Sequence, residues 1–186
     1  PLIFVVESGQ YRAAHGLRAA RYFGQGFGGR TPEVKDLEWV INQTFPDVRI
    51  RHYVECRATD MPPLSVAPAI VALWVGLLYD AQSRSRVIEL LGGLSYVEAT
   101  AIHDQASRLG LAAPLHNGGT VGDIALELLE CARRALLVRG LSEEALLTPV
   151  VAEVEMGRAP ADRLRDAWNG ELRHDEARLL EFLAVQ

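Results

Sequence analysis

Between positions 49 and 60 the chain reads RIRHYVECRATD, with Arg49, Arg51, Tyr53, Glu55 and Arg57 at alternate positions. Read as one strand from Arg49 to Ala58, successive side chains point to opposite faces. These five then share one face, while Ile50, His52, Val54, Cys56 and Ala58 take the other. A polar strand face is commonly a solvated one. Here, however, three arginines and a tyrosine surround a single carboxylate, a composition suited to a polyanion held together with a divalent cation. Glu55 offers hard oxygen ligands to Mg²⁺, and Arg57 offers a planar fork that matches phosphate oxygens. Arg51 and Tyr53 share the face as supporting residues.

The elements that must position this strand come from an N-terminal stretch of mixed character, residues 1–60. It holds an apolar strand at Leu2 to Val6, a Gly-rich segment, a helix and the strand itself. The helix is punctuated by Thr31 as N-cap, Pro32 at the first helical position and Glu33 in the first turn, with Leu37, Val40 and Ile41 at helical spacing. Pro46 disfavours helical geometry in the residue before it, so the helix should end near Phe45. The segment Gly24 to Gly29 (GQGFGG) lacks the Lys-Ser/Thr of a phosphate-binding P-loop. It reads as a flexible loop or as a gate over substrate.

Residues 61–186 read as a helical subdomain. Ala69 to Tyr79 is apolar nearly all round and predicts a buried helix with Trp74 in its core. Ser83 to Leu91 gives a second helix closed by Gly92 and Gly93, and Asp80 reads as the residue ending the helix before it. Ser95 with Glu98 forms a capping box opening a third helix that ends near Gly110. Thr120 or Asp123 opens a fourth that runs to Arg139 and Gly140. Ser142 starts a fifth, with Pro149 as a potential interruption. Helices over Pro160 to Trp168 and Asp175 to Val185 complete the set. Trp39 and Trp168 read as packing residues. His15, His103, His116 and His174 have no ligand spacing and read as surface or capping residues.

With 186 residues, 49% hydrophobic composition and a net charge of −5, the chain is long enough to bury a core. Its scattered Lys and Arg give no footprint for nucleic acid or an anionic membrane. The longest apolar run, Ala67 to Tyr79, is shorter than the roughly 20 residues that cross a bilayer. Cytoplasm is the expected compartment. Cys56 and Cys131 are far apart and form no C-x-x-C, so they read as two buried free thiols. The start at Pro1, without an initiator Met, reads as a piece of a longer protein.

The run FPDVRIRHYVECRATD (residues 45–60) followed by ALWVGLLYD (72–80) resembles the signature of the plant and bacterial glutamate–cysteine ligases, with the spacing between blocks kept. PLIFVVESGQY at the start is similar to the family's strand pair, and LTPVVAEVEMGRAPADRLRDAWNGEL (147–172) is similar to its C-terminal segment. Ordered blocks across nearly the whole chain are more specific than a lone E-x-R.

The resemblance implies an α+β fold, in which a partial antiparallel sheet of glutamine-synthetase-like catalytic architecture carries a mainly helical C-terminal subdomain. It also implies an ATP-dependent, Mg²⁺-requiring enzyme that phosphorylates the γ-carboxylate of glutamate and lets the amine of cysteine displace phosphate. By motif position, Glu55 matches the metal-binding glutamate and Arg57 the arginine that holds the transferred phosphoryl group. One departure is visible. The family's Gly-Ala-Asp turn and the bulky, basic patch after it are replaced by Ala58, Thr59, Asp60 and MPPLSVAP. A relative with another amine acceptor therefore stays open, as does a non-catalytic helical interaction module. The remaining metal ligands and most nucleotide contacts are expected in an N-terminal half outside these residues, without which the chain should not catalyse.

Overall fold

A computed structural model describes residues 1–60, 62–116 and 118–184. The chain divides into two units, Pro1–Asp60 and Met61–Gln186. Helices and short antiparallel strands together make it an α+β protein.

The first unit begins with a hairpin of β1 (Phe4–Glu7) and β2 (Gln10–Ala13), in which Glu7 pairs with Gln10 and Phe4 with Ala13. Its two-residue turn needs positive φ at both positions, and Ser8 and Gly9 have φ of 48° and 76°. A short helix that the sequence pattern does not announce follows, α1 (Ala19–Gln25). Its Tyr22 is fully buried with Leu2, Val5, Ala14 and Val40 in a small core against which Trp39 packs.

The Gly-rich segment is not an open loop, since Gly24 and Gln25 belong to the end of α1. Gly28 and Gly29, both at positive φ, make a tight turn that bridges Phe27 to Arg30. A Cβ at Gly26 would lie 2.2 Å from the Arg30 carbonyl oxygen. Next comes α2 (Asp36–Asn42), which starts later and ends earlier than Thr31 to Phe45. The late start follows from Asp36: its carboxylate accepts from the Glu33 backbone N–H at 2.8 Å, which holds the preceding residues in a turn.

The charged segment is not one strand. β3 (Val48–Ile50) and β4 (Val54–Cys56) form an antiparallel hairpin with Arg49 opposite Glu55, and the Arg51 N–H donates to the Tyr53 carbonyl across the tip. Its apolar face points outward: Val48, Ile50 and Val54 are 52%, 75% and 64% exposed, whereas Arg49 is buried.

In the second unit, α3 (Ala67–Leu78), α4 (Ala81–Leu91), α5 (Tyr96–Leu109), α6 (Val121–Arg139), α7 (Thr148–Glu155), α8 (Pro160–Asn169) and α9 (Glu176–Ala184) follow in order. The capping boxes at Ser95/Glu98 and Thr120/Asp123 are both formed, and Gly140 ends α6 in the left-handed conformation. Asp80 does more than end α3, because its carboxylate caps α4 by accepting from the Ser83 N–H. Pro149 starts α7 rather than breaking a helix, since a 3₁₀ turn over Glu143–Leu147 delivers it to the first turn, where its missing N–H costs nothing.

α3 is buried on one face only. Ala69, Ala72, Gly76 and Leu77 are buried, Val71 is exposed, and Trp74 is half-buried rather than core. Ala72 and Leu77 join Leu129, Ala132, Leu136 and Leu147 in the main core. The α3–α6 crossing depends on Gly76, where a Cβ would meet the Ala132 Cα at 2.7 Å and its carbonyl oxygen at 2.6 Å. Both are backbone atoms, so relief requires the helices to separate. Gly76→Ala is expected to destabilise the helical unit by about 1–3 kcal/mol despite alanine's better helix propensity, read as a lower urea midpoint by circular dichroism.

Candidate functional site

The β3–β4 hairpin gathers Arg49, Arg51, Glu55 and Arg57 around one carboxylate. Directly opposed residues of an antiparallel pair share a face, so Arg49 and Glu55 meet by register, and steps of two along each arm add Arg51 and Arg57. Arg49 donates from Nε and lies with Nη2 at 2.9 and 2.8 Å from Glu55 Oε2. Arg51 Nε stands 3.7 Å from the same oxygen, and Arg57 Nη1 is 3.4 Å from Oε1. Tyr53 does not join them. It sits at the hairpin tip, half-exposed, with its ring edge-on to His52 at 4.6 Å.

The cluster rests on the end of α2 and on Phe45. Arg51 donates to the Asn42 side-chain oxygen and Arg49 Nη1 to the Asn42 carbonyl, where the C-terminal end of a helix favours positive charge. Arg57 lies over the Phe45 ring at 5.3 Å, and its N–H donates to the Asp47 carbonyl. A groove of about 450 Å³ beside the cluster is lined by Leu37, Ile41, Ile50 and Arg51.

The Arg49 hydrogen bonds outweigh partial desolvation and, with the charges of Arg57 and Arg51, hold the Glu55 carboxyl below the usual carboxylate range. It is therefore ionised at neutral pH. Three guanidiniums against one carboxylate leave surplus positive charge, the right sign for a polyphosphate.

Among the described residues no group of three or more His, Cys, Asp or Glu is placed to hold a metal ion. What the hairpin cluster offers a cation is one carboxylate oxygen, Glu55 Oε1, whose arginine hydrogen bond is the long one to Arg57. That is enough for a protein ligand to Mg²⁺, which keeps several waters and is completed by substrate phosphates. It is not enough for a self-contained metal cage.

A second charged cluster, which the sequence did not reveal, lies in the same unit. Asp36 is buried and receives Arg30 Nη1 and Nη2 at 2.7 and 2.6 Å, the Tyr22 hydroxyl at 2.7 Å and the Trp39 indole N–H at 3.2 Å. Burial works to raise its pKa, but the hydrogen bonds from Arg30, the Glu33 N–H and Trp39 prevail and lower it. Every oxygen lone pair has a partner within the fold, so this network fixes structure and leaves nothing for a ligand.

Elsewhere, Cys131 is buried and Cys56 only half-buried, both as free thiols. His103 and His116 are exposed, and the His174 ring packs 5.2 Å from that of Trp168. Among the described residues no helix is long and apolar enough to cross a membrane.

The first unit thus carries an ionised carboxylate braced by three arginines, on an α+β scaffold. The profile of the glutamate-cysteine ligase family 2 (GCS2) matches residues 5–180, and the chain belongs to that family. Similar proteins include the chloroplastic glutamate–cysteine ligases of Medicago truncatula, 33% identical over 76% of this chain and 28% of the relative, and of Brassica juncea, 29% identical over 92% and 34%. The Arabidopsis thaliana enzyme is 32% identical over 77% of this chain and 27% of its own. The chain thus spans about a third of the length of the curated relatives it matches.

Proposed function

We propose that this chain forms one wall of the active site of an ATP-dependent glutamate–cysteine ligase, built on a glutamine-synthetase-like catalytic sheet. The observation that carries the reading is the convergence of Arg49, Arg51 and Arg57 on Glu55, in a chain of the ligase family. The remaining walls would come from sequence that the relatives have and this chain does not cover. The outward apolar face of the β3–β4 hairpin, Val48, Ile50 and Val54, supports that view, because such a face needs a partner to leave water.

In the proposed reaction a γ-carboxylate oxygen of glutamate attacks the terminal phosphorus of ATP, giving γ-glutamyl phosphate and ADP. The amine of cysteine then attacks the acyl carbon, phosphate leaves with the acyl C–O electrons, and the amine proton passes to solvent. Bound Mg²⁺ would neutralise the phosphate oxygens. Glu55 Oε1 would be its ligand from this chain, and Arg57, steadied over Phe45, would hold the phosphoryl group in transfer. Arg51 would add positive charge beside it, and Tyr53 could reach substrate only from the hairpin tip. Such positioning and charge neutralisation are the main sources of phosphoryl-transfer catalysis. Cytoplasm is the proposed compartment.

The full-length protein should release phosphate from Mg·ATP only when glutamate and cysteine are both present. Release with glutamate and another amine would favour the second reading, a changed amine acceptor, which residues 58–68 suggest by lacking the family's Gly-Ala-Asp turn and the basic patch after it. No saturable Mg·ATP binding by calorimetry would instead point to a non-catalytic interaction module.

A further inference from the structure

We propose that Arg49 is the positioning residue of the metal site, holding Glu55 by one oxygen so that the other is presented to the cation. The inference rests on the reading of Glu55 as a metal ligand. Arg49 differs from its neighbours in three respects. It is the one buried arginine of the cluster, with its side chain 9% exposed against 29% for Arg51 and 26% for Arg57. It lies directly across the ladder from Glu55, so hairpin register rather than side-chain chance brings the two together. And it places two nitrogens on a single carboxylate oxygen, Oε2, at 2.9 and 2.8 Å.

A guanidinium spread across both oxygens would block the carboxylate. Concentrated on Oε2, it fixes the rotation of the group and leaves Oε1 with the 3.4 Å contact to Arg57 alone. Arg49 is itself anchored, because Nη1 donates to the Asn42 carbonyl at the end of α2. The chain of support therefore runs from helix end to guanidinium to carboxylate. Lysine could supply the charge but not this fork, since its ammonium is a point donor on a flexible stem.

The experiment titrates the full-length protein with Mn²⁺ alone and follows the free-ion signal by electron paramagnetic resonance, for the parent, Glu55→Gln, Arg49→Lys and Arg49→Gln. Circular dichroism establishes which variants are folded. The expected result is that Glu55→Gln removes one Mn²⁺ site and that Arg49→Lys weakens the same site about 10-fold or more, the usual size for loss of a residue that orients a ligand. The Mg²⁺ concentration for half-maximal turnover should rise in parallel while the KM for ATP, measured at saturating Mg²⁺, stays put. A merely structural ion pair would not produce that split. If Glu55→Gln removes the site but both Arg49 variants bind Mn²⁺ within twofold of the parent, the positioning role is overturned and the Glu55 assignment stands. If Glu55→Gln changes nothing, both fall. If neither Arg49 variant folds, Arg49 is a folding residue and the proposal is wrong.

Discussion

If Arg57 holds the transferred phosphoryl group as proposed, Arg57→Ala in the full-length protein is expected to lower kcat by about 10³-fold or more, the scale on which an arginine stabilising such a group acts. Glu55→Gln should cost about 10²–10³-fold, comparable to removing one preorganised electrostatic contact from a transition state. The two should also fail differently. Arg57 touches Glu55 only through a 3.4 Å contact and leans on Phe45, so its loss leaves the Arg49–Glu55 pair in place and should act on turnover with little change in Mg²⁺ requirement. Glu55→Gln removes the charge that three arginines share, and should raise the Mg²⁺ needed for half-maximal rate as well. Phosphate release at saturating ATP, glutamate and cysteine, repeated across a Mg²⁺ series, measures both. Activity within a few-fold of the parent in either variant would remove that residue from the site.

The helical half was legible because its signals are local. Ser95, Glu98, Thr120, Asp123 and Gly140 cap helices through neighbours three or four positions away, and the structure uses each of them as such. The charged segment shows the opposite case. Alternation along an unbroken strand brought Arg49, Arg51, Glu55 and Arg57 to one face, and the hairpin does the same by another route, since opposed residues and steps of two both preserve the face. Tyr53 was lost from the group because the chain reverses at residues 51–53, without Gly, Asn or Pro to announce the turn. Which face would be buried was not readable either. Arg49 is buried and Arg51 and Arg57 partly so, with valine and isoleucine outside, because Asn42 and Phe45 supply partners for charge, and that pairing exists only in three dimensions.

The Asp36 network was the least legible feature, since its partners come from α1, a glycine turn and α2, and it carries the largest expected effect on folding. Asp36→Ala would leave Arg30 and the Tyr22 hydroxyl beside an emptied buried site, and breaking such a pair by removing one partner costs about 3–5 kcal/mol. A unit of this size has about 3–9 kcal/mol in total. The variant should therefore lose most of the N-terminal unit's structure, seen as a change in Trp39 emission in a background where Trp74 and Trp168 are phenylalanine. Replacing both partners, Arg30→Met with Asp36→Leu, should recover part of the loss, because no buried charge is then left alone, while the Tyr22 hydroxyl, the Trp39 N–H and the Glu33 N–H still lose their acceptor. Acid should mimic the single variant. The folded Asp36 pKa is lowered, so its contribution is fully present at neutral pH and disappears as pH falls through that lowered value, below the ordinary aspartate range of about 4. Trp39 emission that stays native in Asp36→Ala at neutral pH would show that Tyr22, Arg30 and Trp39 hold the unit together without their common carboxylate.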